Sequence, residues 1–436
     1  MKMVLYKNII VLVLCFISTS GAITQNSVNQ TFFFGTAQNE NTATAISKAL
    51  SYNEDLGYGF DFNTAKNVLL TKNALTAKNP IYFSIKVPEG FYKIDIVLGS
   101  NICSETTVKA ESRRLMLKQI KLKKKKTGHY SFIVNVRSPK INNETIIRLK
   151  DRDKNQLNWD DKLTLEFSGA SALKSLKITP VTDITTIFLA GDSTVTDQDL
   201  EPWASWGQFF TNYISDKAVV ANYAESGSTL SGFKSANRLE KILSLIRPDD
   251  YLFIEFAHND EKQKGDGIGP WKSYSNLLKE YITKAREKGG KPILCTPTQR
   301  RAFNDDGSLK ETHGDFPAAM RQVATEMNVP LIDLTKMTTY MYESWGAEQS
   351  RKAFVQYPAN TFPNQTKKLE DNTHFNSFGA NEIAKCVVQG IKDLNLDMAK
   401  YLKSDIPKYN PKKPNNIDDW NVPMSPRFEI HKPDGN

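Results

Sequence analysis

The sequence predicts an α/β protein whose parallel sheet is preceded by an all-β segment. Three observations carry that reading. Before Pro180 the chain runs through short stretches of alternating polar and apolar residues between turn clusters. After Pro180 apolar runs alternate with longer amphipathic stretches, as strands and helices do in turn. At 436 residues the chain is also too long for one ordinary domain.

Residues 1–22 read as a secretory signal peptide. Lys2 and Lys7 make a basic start, Ile9–Ile17 is an apolar run too short to span a bilayer, and Ser20 and Ala22 suit a small-residue cleavage site. The protein is therefore expected to be exported, periplasmic or secreted, with no membrane span. Residues 27–182 hold strand-like runs such as Ile81–Val87, Tyr92–Leu98, Tyr130–Val136 and Leu163–Phe167, separated by turns such as Pro88–Gly90. Their spacing fits a β-sandwich. Thr42–Leu50 reads as a short helix.

Residues 184–400 form the second unit. Its candidate strands are Thr186–Leu189, Ala218–Asn222, Tyr251–Phe256, Pro292–Cys295 and Leu331–Asp333. Its candidate helices are Trp203–Ile214, Phe233–Ile246, Trp271–Lys288, Phe316–Met327 and Ser377–Val388. Pro270 opens the third helix and Gly289-Gly290 follows it. Such alternation calls for a parallel sheet covered on both faces, with any site at the carboxyl ends of the strands. Residues 401–436, rich in Pro, Asn, Asp and Lys, are expected to be irregular.

A 40% hydrophobic and 24% charged composition is that of a soluble globular protein. The formal charge of +9, two of it on Lys2 and Lys7, is compatible with an acidic partner without identifying one. Lys121–Lys126 (K-L-K-K-K-K) lies between strand-like runs and has no interleaved aromatics. It reads as a solvated hairpin loop, and no nucleic-acid partner is expected. Outside the leader the cysteines are Cys103, Cys295 and Cys386, which make neither a disulfide framework nor a metal cluster. With no H-E-x-x-H and no Cys-x-x-Cys, no metal and no cofactor are expected.

Five short blocks then follow in order: Ile187–Ser193 (I-F-L-A-G-D-S), Asn222–Thr229 (N-Y-A-E-S-G-S-T), Glu255–Asp260 (E-F-A-H-N-D), Pro292–Arg301 (P-I-L-C-T-P-T-Q-R-R) and Asp371–Gly379 (D-N-T-H-F-N-S-F-G). Ser193 follows a buried-looking strand through a sharp Gly191-Asp192 turn, which presents a hydroxyl at the sheet edge; taken singly, G-D-S is ordinary turn chemistry. Asp371 precedes His374 by three residues in a loop, so its carboxylate can fold back onto Nδ1 and leave Nε2 for Ser193. Asn376 or Ser377 can cap the helix that follows. The order Ser…Asp…His is that of α/β-hydrolases, but the absence of a G-x-S-x-G elbow disfavours that fold.

Together the blocks resemble the SGNH (GDSL-type) hydrolase superfamily, and within it the rhamnogalacturonan acetylesterases. His258-Asn259-Asp260, Pro297–Arg301 and Thr312–Asp315 carry the narrower likeness. Glu105–Leu117 and Leu157–Phe167 resemble the β-domain that precedes the catalytic domain in bacterial members. The resemblance implies an SGNH/flavodoxin-like three-layer α/β/α sandwich after an N-terminal galactose-binding-like β-sandwich. It implies a carboxylic ester hydrolase that removes O-acetyl groups from galacturonic acid in pectic rhamnogalacturonan, an acetylated acidic polysaccharide or oligosaccharide. Ser193, Asp371 and His374 would be catalytic; the Ser193 and Gly227 backbone N–H groups and the Asn259 amide would form the oxyanion hole. Arg300, Arg301 and His258 would contact the substrate. Two positions depart from the family pattern, Ala257 in place of glycine and Ser228 in place of arginine. The alternatives are an SGNH lipase, arylesterase or thioesterase of other specificity, and a carbohydrate-binding protein with a degenerate esterase domain.

Overall fold

The computed structural model describes residues 29–36 and 43–434; the expected leader, residues 1–22, lies outside them. Eleven strands come first: β1 (Gln30–Phe34), β2 (Thr44–Ile46), β3 (Tyr58–Asp61), β4 (Leu69–Leu70), β5 (Leu75–Ala77), β6 (Ile81–Lys86), β7 (Gly90–Leu98), β8 (Ser104–Ala110), β9 (Arg114–Leu122), β10 (Gly128–Val136) and β11 (Lys162–Val181). The 20-residue β11 is their spine. Its first half pairs antiparallel with β6 and β8, and its second half with β5, β7 and β1. The change of partners falls at Gly169, whose φ of +85° suits glycine and whose Cβ would meet Glu105 O at 2.5 Å. Alternate residues of β7 (Tyr92, Ile94, Ile96, Leu98) enter one apolar core, where Phe83 meets the rings of Phe32, Phe34 and Phe60 edge-on.

Two sequence expectations change here. Where residues 42–50 read as a short helix, Thr44–Ile46 pairs with β1 as a parallel strand, because the open edge of β1 offers backbone partners that an isolated turn of helix lacks. The lysine-rich stretch is not a hairpin loop. It joins β9 and β10, which pair with β8 and β7 and not with each other.

The second part is built on five parallel strands: β12 (Thr185–Gly191), β13 (Ala218–Asn222), β14 (Tyr251–Glu255), β15 (Lys291–Cys295) and β16 (Leu331–Ile332). Their spatial order is β13-β12-β14-β15-β16. Strand alternation divides the apolar residues between two faces. Ile187, Leu189, Tyr251, Phe253, Ile293 and Cys295 enter one core; Phe188, Ala190, Leu252, Ile254 and Leu294 enter the other. The first face is covered by α1 (Trp206–Phe210), α6 (Leu334–Ser350) and α7 (Ser377–Asp393); the second by α2 (Leu230–Ser235), α3 (Arg238–Leu245), α4 (Ser275–Glu287) and α5 (Phe316–Glu326). This is a three-layer α/β/α arrangement. The chain leaves β12 for β13 on one side, then returns to β14 on the other. The carboxyl ends of β12 and β14 therefore flank the switch point, where such sheets open a crevice.

The stretch read as one helix over 233–246 is two, divided at Asn237, which takes a left-handed φ of 63°. Helix α6 went unread, and so did the antiparallel pair β17 (Phe354–Tyr357) and β18 (Leu369–Phe375).

The two parts share buried polar contacts. Ser112 Oγ donates to Asp199 (2.7 Å), Arg113 Nη1 to Trp203 O (2.6 Å), and Gln208 Nε2 to Ser112 O (2.8 Å). The last residues run along this seam. Lys109 Nζ donates to Pro423 O, Ser425 Oγ to Glu166, and Arg427 pairs with Asp199.

Candidate active site

β12 ends in a turn over Asp192–Thr196, closed by Val195 and Thr196 N–H groups on Asp192 O and by Thr194 N–H and Oγ1 on Asp192 Oδ1. Gly191 is required here, because a Cβ would sit 2.4 Å from Val195 Cγ2 and 2.9 Å from Glu255 O. The turn projects Ser193, whose carbonyl is fixed by Ser205 Oγ (2.6 Å) and Gln198 Nε2 (3.0 Å).

Asp371 and His374 lie on β18 rather than in the expected loop, since β18 pairs with β17 across a register shift. Asp371 Oδ1 accepts the Thr373 and His374 N–H groups at 2.7 and 2.8 Å, which turns the carboxylate back along the strand. Its Oδ2 lies 2.8 Å from His374 Nδ1, and His374 Nε2 lies 2.9 Å from Ser193 Oγ. Burial opposes ionisation of Asp371, but His374 and the two N–H groups outweigh it and hold the carboxyl well below the usual aspartate range. Trp203 sets its ring edge-on to the imidazole, at 5.8 Å between centroids. Asn376 caps α7 by accepting from the Phe378 and Gly379 N–H groups, so the helix start anchors the histidine strand.

The other two blocks converge on this turn. Gly227 has φ +76°, and its Cβ would meet Asp434 Cβ at 2.8 Å. Gln198 Nε2 joins Ser193 O to Ser226 Oγ (3.2 Å), and Asn259 Nδ2 donates to Ser228 O (3.2 Å). The structure thus brings together Ser193, His374 and Asp371, with the Gly227 loop and Asn259 beside them.

It does not present His258 and Arg301 to a substrate. His258 is 1% exposed, with its Nδ1 3.4 Å from Asp192 Oδ2 and its ring edge-on to His313. Burial pushes its imidazole down to about 4, so it is neutral near neutral pH. The Arg301 guanidinium is spent on Ser350 Oγ (3.1 Å), Asn372 Oδ1 (2.8 Å) and Ala347 O (2.5 Å), tying α6 to the Asp371 strand. Arg300 is 17% exposed, but Glu261 pairs with it and it donates to Thr312 O and His258 O. Adjacent arginines after a strand signal a charged site edge; their partners are set by segments far away in sequence.

Four residues without a role in the sequence reading touch the site. Glu255, at the end of β14, accepts from Trp206 Nε1 (2.5 Å) and Thr194 Oγ1 (3.2 Å); burial, then Asp192, pushes its carboxyl up to about 8. Its place in the third block was a signal. Lys150 Nζ donates to Ser226 O (2.6 Å), Lys262 Nζ to Asn259 Oδ1 (3.2 Å), and Lys432 Nζ lies 3.3 Å from Asp371 Oδ2. Lys150 and Lys432 lie outside every motif. Among the described residues no group of three or more His, Cys, Asp or Glu side chains is placed to hold a metal ion, and no helix is long and apolar enough to cross a membrane.

A serine bonded to a histidine–aspartate pair at the switch point of a parallel sheet defines an esterase-type site, and residues 187–387 match the family of GDSL-like lipases/acylhydrolases. The chain belongs to that family and is a carboxylic ester hydrolase. It is similar to the rhamnogalacturonan acetylesterase RhgT of Bacillus subtilis (strain 168), with 41% identity over 220 residues, 50% of this chain and 94% of that protein. It is also similar to the probable rhamnogalacturonan acetylesterase YesY of the same organism, with 38% identity over 49% of this chain and 95% of that protein. The crystal structure of Bacillus subtilis YxiM matches 85% of this chain and 99% of that one, at 22% identity and a TM-score of 0.45.

Proposed function

We propose that the chain is a carbohydrate acetylesterase that removes O-acetyl groups from pectic rhamnogalacturonan by a Ser193–His374–Asp371 mechanism. The observation that carries this reading is the continuous line from Asp371 Oδ2 to His374 Nδ1 (2.8 Å) and from His374 Nε2 to Ser193 Oγ (2.9 Å). His374 Nε2 takes the Ser193 proton as Oγ bonds to the acetyl carbon. The carbonyl oxygen becomes an oxyanion facing the Ser193 and Gly227 N–H groups and the Asn259 amide. The C–O bond to the sugar breaks, the sugar oxygen takes the proton from His374, and an acetyl-serine remains. Water then gives one proton to His374 as its oxygen bonds to the acetyl carbon; the bond from that carbon to Ser193 Oγ breaks, Oγ takes the proton back from His374, and acetic acid leaves and ionises to acetate. Asp371 holds the Nδ1–H tautomer and stabilises the imidazolium.

The likeness to RhgT and YesY, so named, supports the sugar substrate. Lys432, partly exposed beside Asp371, replaces Arg300 and Arg301 as the cation for a uronate carboxylate. We further read 27–182 as a galactose-binding-like β-sandwich, 184–400 as the catalytic domain, 401–436 as a tail, and 1–22 as an export leader that sends the protein to the periplasm or beyond. Acetate release from acetylated rhamnogalacturonan, with Ser193→Ala as control and acetate and octanoate aryl esters alongside, tests the function. Preference for octanoate, or turnover by Ser193→Ala above a tenth of the parent rate, rejects it. N-terminal sequencing of the exported protein tests the leader.

A further inference from the structure

The two amides assigned to the oxyanion hole share a feature on their far sides. The Ser226–Gly227 peptide is trans, so its C=O and N–H point in opposite directions. Its oxygen accepts from Lys150 Nζ at 2.6 Å. The oxygen of the other amide, Asn259 Oδ1, accepts from Lys262 Nζ at 3.2 Å, while Nδ2 faces the Gly227 loop through Ser228 O. We infer that Lys150 and Lys262 are positioning residues of the oxyanion site, each ammonium gripping the oxygen of one donor amide.

The inference rests on the reading of Gly227 and Asn259 as oxyanion donors. Its physical content is twofold. An ammonium bonded to an amide oxygen draws electron density from the N–H and makes it a stronger donor. The same bond fixes the amide plane, so the N–H is aimed before charge develops on the substrate. The ammonium of Lys150 is itself held from behind by Asp434 Oδ2 (3.6 Å) and Glu225 Oε2 (3.9 Å). Lys150 comes from the segment between β10 and β11, so the strand-rich first part of the chain reaches into the reaction site. Lys262 closes the short turn that begins at Asp260, directly after Asn259.

The test compares Lys150→Met, Lys262→Met, Lys150→Arg and Asn259→Ala in the full-length protein. An oxyanion donor is worth about 10²–10³-fold in rate, so Asn259→Ala is expected to lose about 10²-fold in kcat. Loosening a donor without deleting it is expected to lose about tenfold for each methionine variant, with KM within about twofold. Inactivation by an aryl phosphonate, whose phosphoryl oxygen occupies the hole, is expected to slow by the same factor, and Lys150→Arg to recover most of the rate. If both methionine variants keep kcat within twofold while Asn259→Ala falls, the lysine inference fails and the oxyanion reading stands. An unchanged Asn259→Ala rejects that reading and the inference with it. If the kcat loss of Lys150→Met tracks a fall in melting temperature and Lys150→Arg does not restore it, the lysine is only structural. Should Lys150→Met fail to fold, Lys262→Met alone decides by the same criteria.

Discussion

Asp371→Asn changes one charge and almost no volume, and the structure dictates how the new amide must sit. The two backbone N–H groups at 2.7 and 2.8 Å demand an oxygen at the Oδ1 position. The NH₂ is therefore forced to the Oδ2 position, 2.8 Å from His374 Nδ1. The imidazole answers by keeping its proton on Nε2, where it points at Ser193 and cannot accept a proton. Reaching the reactive tautomer sets two donors face to face, at about 2–3 kcal/mol for a buried mismatch. Loss of the carboxylate beside the imidazolium adds about 4 kcal/mol at an effective dielectric of about 20 and a charge separation of about 4 Å. Together these amount to about 10⁴-fold or more in kcat, in line with the roughly 10⁴-fold cost of the same change in the serine-protease triad. The assay is initial hydrolysis of p-nitrophenyl acetate and acetate release from acetylated oligogalacturonide, with the melting temperature as fold control. A folded variant that keeps more than 1% of the parent kcat would refute this account of the carboxylate. Stability carries a second signature. Asp371 ionises more readily in the folded chain, so its contribution is present above its ordinary value of 3.8 and is lost as pH falls further. The asparagine variant is expected to lack that part of the acid-side decline in a denaturation series.

Arg301→Ala removes the bonds to Ser350, Asn372 and the Ala347 carbonyl, at about 1–3 kcal/mol of stability by urea unfolding; equal kcat/KM losses on uronate and neutral acetates are expected, and a loss confined to uronates would contradict the structural role. Glu255 has the opposite linkage to Asp371, since its carboxyl is raised from 4.5 to about 8. The stability it contributes is complete below about 4.5 and drains away as pH rises towards 8, so Glu255→Gln is expected to flatten that limb, and an unchanged slope would contradict a protonated Glu255. Gly227→Ala combines a left-handed φ of +76° with a Cβ 3.2 Å from Lys150 Nζ; a loss of tenfold or more in kcat is expected, and full activity would show that the loop is not held in this form.

Much of this was legible in the sequence because the signals were local. The five parallel strands are short apolar runs bounded by turns, and a strand buried on both faces has no other way to look. The grouping of Ser193, His374 and Asp371 was legible because Asp371 and His374 lie within one block and Ser193 in another that ends a strand. Helix α6 was hidden by its composition, L-T-K-M-T-T-Y-M-Y-E-S-W-G-A-E-Q-S, whose apolar residues define no clean face and whose Gly346 breaks the backbone at φ 73°. The direction of Arg301 was not legible, since it depends on Ser350 and Asn372, 49 and 71 residues away. Neither was the part played by Lys150, which no pattern near Ser226 announces.

The seam occupied by residues 423–434 bears on how the chain reaches its working form. Lys109, Glu166 and Glu201 are buried, and Ser425 supplies bonds to all three through its hydroxyl and its N–H. Asp434 then closes on the Gly227 loop, its Oδ2 3.6 Å from Lys150 Nζ. These contacts join the far end of the chain to residues 224 to 316 positions earlier, pairings of long sequence separation whose loop-closure entropy is lost before they form. Ester hydrolysis is therefore expected to return later than the circular dichroism and tryptophan signals when the denatured chain refolds.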